Sequence, residues 1–302
     1  MEVEMVLYLA VLRRKAREAY LEMFPGARIN ALVSYGRRDP EEMSLLGKDR
    51  GSVDRLIGDS GTWSLNQNRQ KYADWITITG YIPFLRVAAD KLDFYFNFDE
   101  DFSKDGFDTN LAHQLRLEEE GFKPVPVIHD CYGDEIQYYI DRGHKMLAIG
   151  SGELAYASLD EMHFIMERFR KHGIKVHFLG CTDYMKLAYL PVYSCDSSSW
   201  TQAGARDYAL FWNPARSGFN KTDKVFLTET PSPKMKGQHH LDHPFRVEFQ
   251  EYLHREFGFS IEDLVGKKSK VTVNRQVVNI RYFLELGARA TAKQQELGFT
   301  FE

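Results

Sequence analysis

Short apolar runs alternate with longer amphipathic stretches through the first two thirds of the chain. Several runs are continuously apolar, which is typical of strands buried on both faces of a sheet. Between them, apolar residues recur at helical spacing. The pattern predicts strands at 30–35, 55–60, 92–99, 123–129, 145–151, 174–180 and 191–197, and helices at 68–89, 107–121, 133–142, 160–172 and 182–189.

The clearest helix signal is SLDEMHFIMERFRKHG, residues 158–173. Ser158 can cap this helix with Glu161 at its third position, and apolar residues follow at helical spacing. Gly173 can end it after Lys171. We therefore expect one amphipathic helix between two strands.

Repeated strand–helix units indicate a parallel sheet. With YALFWN, residues 208–213, as a possible eighth strand, the pattern fits an α/β fold, a (β/α)8 TIM barrel with additional C-terminal helices and basic loops. A doubly wound sheet stays open, because periodicity alone cannot close a barrel. Active sites of such barrels lie at the carboxyl ends of the strands, and candidate residues fall at the carboxyl ends of separate predicted strands: Asp59, Asp99, His129, Gly150 with Ser151, and Asp196.

The organisation predicted is a single domain over 1–302, with a barrel core at about 28–213. The part from about 214 begins with loops rich in Pro, Gly, Lys and His. A helix at 244–258, a basic stretch at 266–276 and a final helix follow. We expect this part to pack on the barrel or complete it.

Composition excludes several classes of protein. Hydrophobic residues make up 43% and charged residues 27%, an ordinary globular composition, and the net charge of −4 requires any nucleic-acid partner to find a local basic patch. Cys131, Cys181 and Cys195 are odd in number and widely spaced, so we expect neither a disulfide framework nor a cysteine zinc site. The apolar segment near the start is too short for a membrane span and lacks a basic flank. The expected location is the cytoplasm.

Three acids that follow strands are the candidates for chemistry. Asp59, in DSGTWS, either forms a turn or faces a pocket where Gly61 admits a flat ligand. Asp99, in FNFDED, either lies in a solvated acidic turn or accepts two hydrogen bonds from an amidine-like edge such as that of guanine. Asp196 either caps the next helix or faces the pocket. The three serines that follow it could cap equally well.

Four motifs in chain order resemble those of the tRNA-guanine transglycosylase superfamily. DSGTWS (59–64) looks like D-S-G-[GAS]-[FY]-Q, and FNFDED (96–101) looks like F-D-E-C. MLAIGSGELA (146–155) looks like A-I-G-G-L-A, and SCDSSSWTQAGAR (194–206) is similar to F-D-S-A-A-Y-A-L-Y-A-R of the archaeal branch. The resemblance covers roughly residues 30–212.

The resemblance implies a pentosyltransferase that exchanges bases without a cofactor. Its nucleophile corresponds to Asp196, which attacks C1′ of the sugar, displaces guanine and forms a covalent ester until a free 7-deazaguanine base takes its place. Asp59 corresponds to the proton-shuttling carboxylate. The implied base-binding residues are Asp99, Trp63, His129, Gly150, Ser151, Ser60 and Gly61.

Departures from the family motifs concern the base site. Thr62 replaces a glycine, which narrows the site or adds a hydroxyl, and Ser64 replaces a glutamine. Trp63 stands where the family has a stacking Phe or Tyr, and a core tryptophan is the alternative. Ser151 also replaces a glycine, so the pocket for the deazaguanine substituent is expected to differ.

The substrate inferred is DNA, because no cysteine follows Cys195 and the zinc site of the tRNA enzymes has no ligands. This favours similarity to the DNA-guanine transglycosylases of bacteriophages and DNA-modification clusters, with 7-cyano-7-deazaguanine as an example of the incoming base. Alternatives are base exchange in tRNA, a barrel hydrolase, and a nucleic-acid-binding relative without exchange. No metal is predicted, and a mobile basic loop is favoured over a metal site at His239, His240, Asp242 and His243. Backbone contacts are expected from Arg206, Lys234, Lys236, Arg246, Lys267, Lys268, Lys270 and Arg275, with a solvated surface as the alternative.

Overall fold

The computed structural model describes residues 4–301 and divides the chain into two compact units. The first, here called the sheet unit, comprises the described residues up to Val11, then 28–197 and 290–301. The second unit comprises 12–27 and 198–289. The candidate catalytic carboxylates all belong to the sheet unit.

Eight parallel strands form the sheet unit. Their order is β4-β3-β2-β1-β8-β7-β6-β5, so each strand lies beside its neighbours in the cyclic order of a TIM barrel. The strands are β1 (Val6–Ala10), β2 (Ala31–Ser34), β3 (Leu56–Asp59), β4 (Phe94–Tyr95), β5 (Val127–Ile128), β6 (Met146–Ile149), β7 (Lys175–Phe178) and β8 (Ser194–Ser197).

The two ends of this strand order are not joined by a ladder. One parallel bridge, Phe96 to Val125, lies between the segments next to β4 and β5. The Val125 N–H donates to the Tyr95 carbonyl at 2.8 Å, and the Asn97 N–H donates to the Val125 carbonyl at 3.0 Å. The sheet is therefore curled and TIM-barrel-like, with a single bridge where a closed barrel has paired strands.

The predicted eighth strand is wrong. Residues 208–212 pair antiparallel with 222–226 in a separate two-stranded sheet, while the eighth strand of the parallel sheet is β1. β1 pairs with β2 on one side and β8 on the other. The barrel segment predicted at about 28–213 thus omits β1, a central strand of the sheet. The apolar run near the start of the chain was considered only as a membrane-span or signal-peptide candidate. The seven other predicted strands are confirmed in position.

Helices connect the strands, and the capping box predicted at Ser158 is confirmed. Its hydroxyl accepts from the Glu161 N–H while the Glu161 carboxylate accepts from the Ser158 N–H. The predicted helix at 68–89 is instead two helices. The α-helices are α1 (Arg14–Met23), α2 (Pro40–Met43), α3 (Thr62–Gln67), α4 (Arg69–Tyr72), α5 (Ile78–Ala88), α6 (Phe107–Glu119), α7 (Glu135–Asp141), α8 (Ser151–Tyr156), α9 (Leu159–Lys171), α10 (Tyr184–Tyr189), α11 (Ser199–Ala205), α12 (Arg246–Phe257) and α13 (Ser269–Glu296).

Short 3₁₀ segments complete the sheet unit and the second unit. They span Tyr35–Arg37, Ser44–Leu46, Arg50–Ser52, Ala89–Lys91, Pro233–Met235 and Ile261–Leu264. Within residues 4–301, no helix combines the length and apolar character that crossing a membrane requires.

The second unit is built on the hairpin of β9 (Tyr208–Trp212) and β10 (Thr222–Phe226) with helices from both ends of the unit. Helix α13 begins at Ser269, inside the stretch predicted as a basic segment before the last helix. Of the predicted backbone-contacting cations, all but one have exposed side chains: Arg206, Lys234, Lys236, Arg246, Lys267, Lys268 and Lys270.

Arg275 is the exception, and its prediction as a nucleic-acid contact is wrong. The residue is 1% exposed. Its guanidinium donates to the Gly204, Leu264 and Gly266 carbonyls at 3.1, 2.8 and 2.9 Å, and to the Asp207 carboxylate at 2.6 Å. Arg275 therefore ties α13 to the end of α11 and to the end of the 3₁₀ segment Ile261–Leu264, and has no donor directed to solvent.

Replacing Arg275 by Met should destabilise the protein by about 3 kcal/mol, because three carbonyls and one carboxylate lose a buried charged donor. Urea denaturation measures the change in the free energy of unfolding. The matched control is Lys270→Met on the exposed face of the same helix, for which we expect a change within about 0.5 kcal/mol. Equal effects of the two substitutions would contradict the structural role of Arg275.

Candidate active site

Parallel strands bring the polar side chains at their carboxyl ends to one edge of the sheet. Asp59 ends β3, and its register partner on β2 is Ser34. Asp196 on β8 is the register partner of Tyr8 on β1, and Tyr8 belongs to the apolar cluster inside the curl. Because register partners face the same side of a sheet, the Asp196 side chain also points inside.

Asp59 both forms a turn and faces the interior. Its Oδ2 accepts from the Ser34 hydroxyl at 2.7 Å and from the Gly61 N–H at 2.9 Å. Its Oδ1 has no hydrogen-bond partner within the described part of the chain. The two interpretations of the DSG sequence are therefore compatible, since one oxygen fixes the turn and the other remains open.

Burial raises the pKa of Asp59 from 3.8 to about 7. The hydrogen bond from Ser34 opposes that shift, while the negative charges of Asp99 and Asp196 raise the pKa further. Electrostatic coupling of this kind requires the three carboxyl groups to lie near one another. The structure thus brings together the three acids that the sequence singles out, and it places Asp59 near equal protonation at neutral pH.

Asp196 lies within β8 and does not cap the following helix, so that alternative is wrong. Ser198 occupies the N-cap position of α11. The Oδ1 atom of Asp196 accepts from the Gly180 N–H at 3.1 Å and lies 3.2 Å from His177 Nε2. Its Oδ2 makes no hydrogen bond to any residue between 4 and 301, and the side chain keeps 11% of its surface exposed. One oxygen is anchored by the protein and the other is open.

Asp99 is only 4% exposed, so the solvated acidic turn is wrong for this residue. Its Oδ1 accepts from the hydroxyls of Thr62 at 2.7 Å and Ser60 at 3.3 Å. Its Oδ2 lies 3.0 Å from His129 Nε2. Both oxygens already have protein partners, so a base edge would have to share them through the remaining lone pairs.

The glycines predicted to line the base site have structural reasons of their own. Gly61 has a φ of +86°, and a Cβ there would meet the Gly36 Cα at 2.5 Å. A Cβ on Gly150 would meet His129 Nδ1 at 2.8 Å, and the Gly150 N–H donates to the Ile128 carbonyl at 2.9 Å. That amide is engaged within the sheet, so it is not a free donor for a base, and base binding at Gly150 stays a prediction.

Two further predicted residues differ in what the structure describes. Trp63, in the first turn of α3, is 57% exposed, so the alternative of a core tryptophan is wrong. Its stacking on a base stays a prediction. Ser151 begins α8, and its side chain lies outside the described part of the structure.

Sequence reasoning missed the two side chains that hold the catalytic candidates. Ser34 ends β2 and bonds Asp59, while His177, within β7, contacts Asp196. The signal for His177 was a lone histidine in the strand KVHFLG. Such a residue in a buried strand needs partners for both ring nitrogens.

The histidines of GQHHLDHP do not form a mobile basic loop. His239, His240 and His243 are buried. The Nε2 atoms of His239 and His240 lie 2.9 and 3.2 Å from the Thr228 carbonyl, and His243 Nε2 lies 3.1 Å from the Lys224 carbonyl. No group of three or more His, Cys, Asp or Glu side chains suited to a metal ion occurs among residues 4–301.

The raised pKa of Asp59 predicts a stability term that depends on pH. An acid whose pKa is higher in the folded state than in the unfolded state loses stability as the pH rises from its unfolded value, near 4, through about 7. Asp59→Asn removes this term. The free energy of unfolding of the variant relative to wild type should therefore increase between about pH 5 and pH 8.

Urea denaturation at a series of pH values measures this difference. Asp74→Asn, at an exposed position, is the control and should show a flat difference over the same range. A flat difference for Asp59→Asn would show that folding does not raise the pKa of this carboxyl group.

No family model matches the chain, and no curated protein matches it. Two solved structures are similar at 14% identity and a TM-score of 0.42. One, from Sinorhizobium meliloti, is described provisionally as an isomerase, with 73% of this chain and 57% of that chain covered. The other is the carboxyl transferase domain of Rhizobium etli pyruvate carboxylase, with 100% and 49% covered. This chain spans about half the length of these structures. At a TM-score of 0.42, neither structure supports an argument about the function of this chain. Membership of the transglycosylase superfamily therefore stays a prediction.

Proposed function

We propose that the protein is a DNA-guanine transglycosylase, a pentosyltransferase that replaces guanine in DNA by a free 7-deazaguanine base. The observation that carries the proposal is the pairing of Asp59 with Asp196. The charge of Asp196 raises the pKa of Asp59, and each of the two carboxyl groups has one oxygen held by the protein and one open. A retaining exchange at a sugar carbon needs a nucleophile and a proton donor in this relation.

In the first half-reaction, the open oxygen of Asp196 attacks C1′ of the deoxyribose. The bond from C1′ to the guanine nitrogen breaks, and its electron pair leaves with the base. Asp59 in its protonated form gives its proton to the departing guanine. A carboxyl group whose pKa is about 7 is protonated in a large fraction of molecules at neutral pH, as a general acid must be.

In the second half-reaction, a 7-deazaguanine base replaces guanine. Its ring N–H gives the proton to the Asp59 carboxylate, and the same nitrogen attacks C1′. The ester bond to Asp196 breaks, and the aspartate leaves as a carboxylate. Both catalytic residues return to their initial state, so the exchange needs no external acid, base or cofactor.

Base recognition is assigned to the neighbourhood of Asp99. His129 Nε2 contacts this carboxylate, and the ring of Phe102 stacks on His129 with centroids 4.5 Å apart and an interplanar angle of 21°. Trp63, exposed in the first turn of α3, supplies an aromatic surface for stacking. We propose that a base edge shares the Asp99 oxygens with their present donors.

Nucleic acid as the substrate is supported by cations at the start of α13. Lys267, Lys268 and Lys270 are exposed around its first turn, which contains no acidic residue. Cations at a helix N-terminus are unfavourable by about 0.3–1 kcal/mol, whereas phosphate is favoured there. Their position is thus better suited to binding an anion than to stabilising the helix. DNA is proposed over tRNA because the chain lacks the cysteines of the tRNA enzymes' zinc site.

Asp196→Ala should abolish exchange. We expect wild type to form a covalent adduct with a guanine-containing DNA oligonucleotide, at the mass of the two minus guanine, and to incorporate labelled 7-cyano-7-deazaguanine. The variant should form no adduct and incorporate label at least about 1,000-fold more slowly. Mass spectrometry and filter-bound label measure the two quantities.

Asp74→Ala, an exposed acid, is the control for that experiment and should behave as wild type. Parallel reactions with tRNA separate the two nucleic acids. Incorporation into tRNA alone would overturn the choice of DNA, and no incorporation into either, with no adduct, would overturn base exchange altogether.

Ser34→Ala should move the pH dependence of adduct formation. Ser34 donates to the ionised form of Asp59 and so lowers its pKa. If protonated Asp59 is the general acid, the rate falls as the pH rises through about 7, and the variant's falling limb should shift to higher pH. Single-turnover rates over a pH series give the limb. A limb that stays in place would refute the role of Asp59 as the acid.

A further inference from the structure

His177 lies inside the curled sheet, where its ring is fully buried. The centroids of Phe96, Phe94 and Tyr8 lie 4.9, 5.8 and 6.3 Å from it. An apolar side chain would fill such a site without needing hydrogen bonds. Unlike an apolar side chain, the imidazole has two ring nitrogens, and each of them has a hydrogen-bond partner.

The two partners lie on β8. His177 Nδ1 is 2.8 Å from the Ser194 hydroxyl, and Nε2 is 3.2 Å from Asp196 Oδ1. Ser194 and His177 are register partners across β8 and β7, so the sheet itself fixes their separation. An ionised carboxylate only accepts hydrogen bonds, so Nε2 carries the hydrogen that points at Asp196. In the neutral ring, Nδ1 then accepts from the Ser194 hydroxyl.

This arrangement distinguishes the two oxygens of Asp196. Oδ1 receives donors from His177 and from the Gly180 N–H, while Oδ2 receives none from the described residues. Turning the carboxyl group out of this orientation would break both hydrogen bonds, and only a half-turn, which exchanges two equivalent oxygens, would restore them. His177 therefore restrains the orientation of the acid as well as its position.

We propose that His177, oriented by Ser194, is a positioning residue that fixes the Asp196 carboxylate with Oδ2 toward the reacting sugar carbon. The inference deepens the proposed function and rests on Asp196 being its nucleophile. The histidine does not touch the substrate in this account. It acts by holding the aspartate in place. This matters for the rate, since a misplacement of about 1 Å in a nucleophile can cost about 100-fold.

The kinetic test compares His177→Leu with His177→Gln. Leu keeps the volume and removes the donor, so adduct formation on the oligonucleotide should slow by about 100-fold with KM nearly unchanged. The Gln amide can donate to the same oxygen and should restore the rate to within about tenfold of wild type. His172→Leu, at an exposed position, is the control. Equal loss in the Leu and Gln variants, or a loss confined to KM, would overturn the positioning role.

A second test needs no activity. ¹⁵N NMR of the histidine-labelled protein should show His177 protonated at Nε2, with that resonance shifted in Asp196→Ala and both tautomers populated in Ser194→Ala. An Nε2 resonance that does not shift in Asp196→Ala would overturn the contact between His177 and Asp196. If the resonance responds but no nucleic acid forms an adduct, the proposed function fails and the contact stands.

Discussion

Confinement of three carboxylates, two buried and one partly buried, at one edge of a curled sheet is the constraint on which the site depends. An unpaired charge in such a place costs several kcal/mol, so each carboxylate must be supplied with donors. The sheet unit supplies them from strand ends and the loops that follow. Asp59 has Ser34 and Gly61; Asp99 has Thr62, Ser60 and His129; Asp196 has Gly180 and His177.

The three acids differ in how many of their oxygens accept hydrogen bonds from the protein, and this difference determines what each acid can do. Asp99 has partners on both oxygens, which suits a residue that orients other groups. Asp59 and Asp196 each keep one oxygen open. For Asp59, desolvation raises the pKa more than its hydrogen bonds lower it, so the pKa rises to about 7. The proposed division into acid, nucleophile and base-site residue follows from these differences.

Sequence patterns predicted the parts of this arrangement that are local. Strand ends, the capping box at Ser158 and the acids in β3 and β8 all depend on neighbours within a few residues. The partners of buried polar groups do not. Arg275 was assigned to a basic surface, because its acceptor Asp207 lies 68 positions away and only the fold brings them together. His177 was passed over for the same reason, since its partners belong to the next strand.

The missed strand β1 has a consequence for the geometry of the acids. It lies between β2 and β8, so Asp59 on β3 and Asp196 on β8 are three strand spacings apart. In a flat sheet this separation would be about 14 Å, with the side chains parallel. Curling the sheet turns both side chains toward one centre, which agrees with the contribution of the Asp196 charge to the raised pKa of Asp59. A doubly wound open sheet with the same residues would leave the two carboxylates too far apart for one sugar. The proposed pairing of nucleophile and acid thus depends on curvature, which the alternation of apolar and polar residues does not encode.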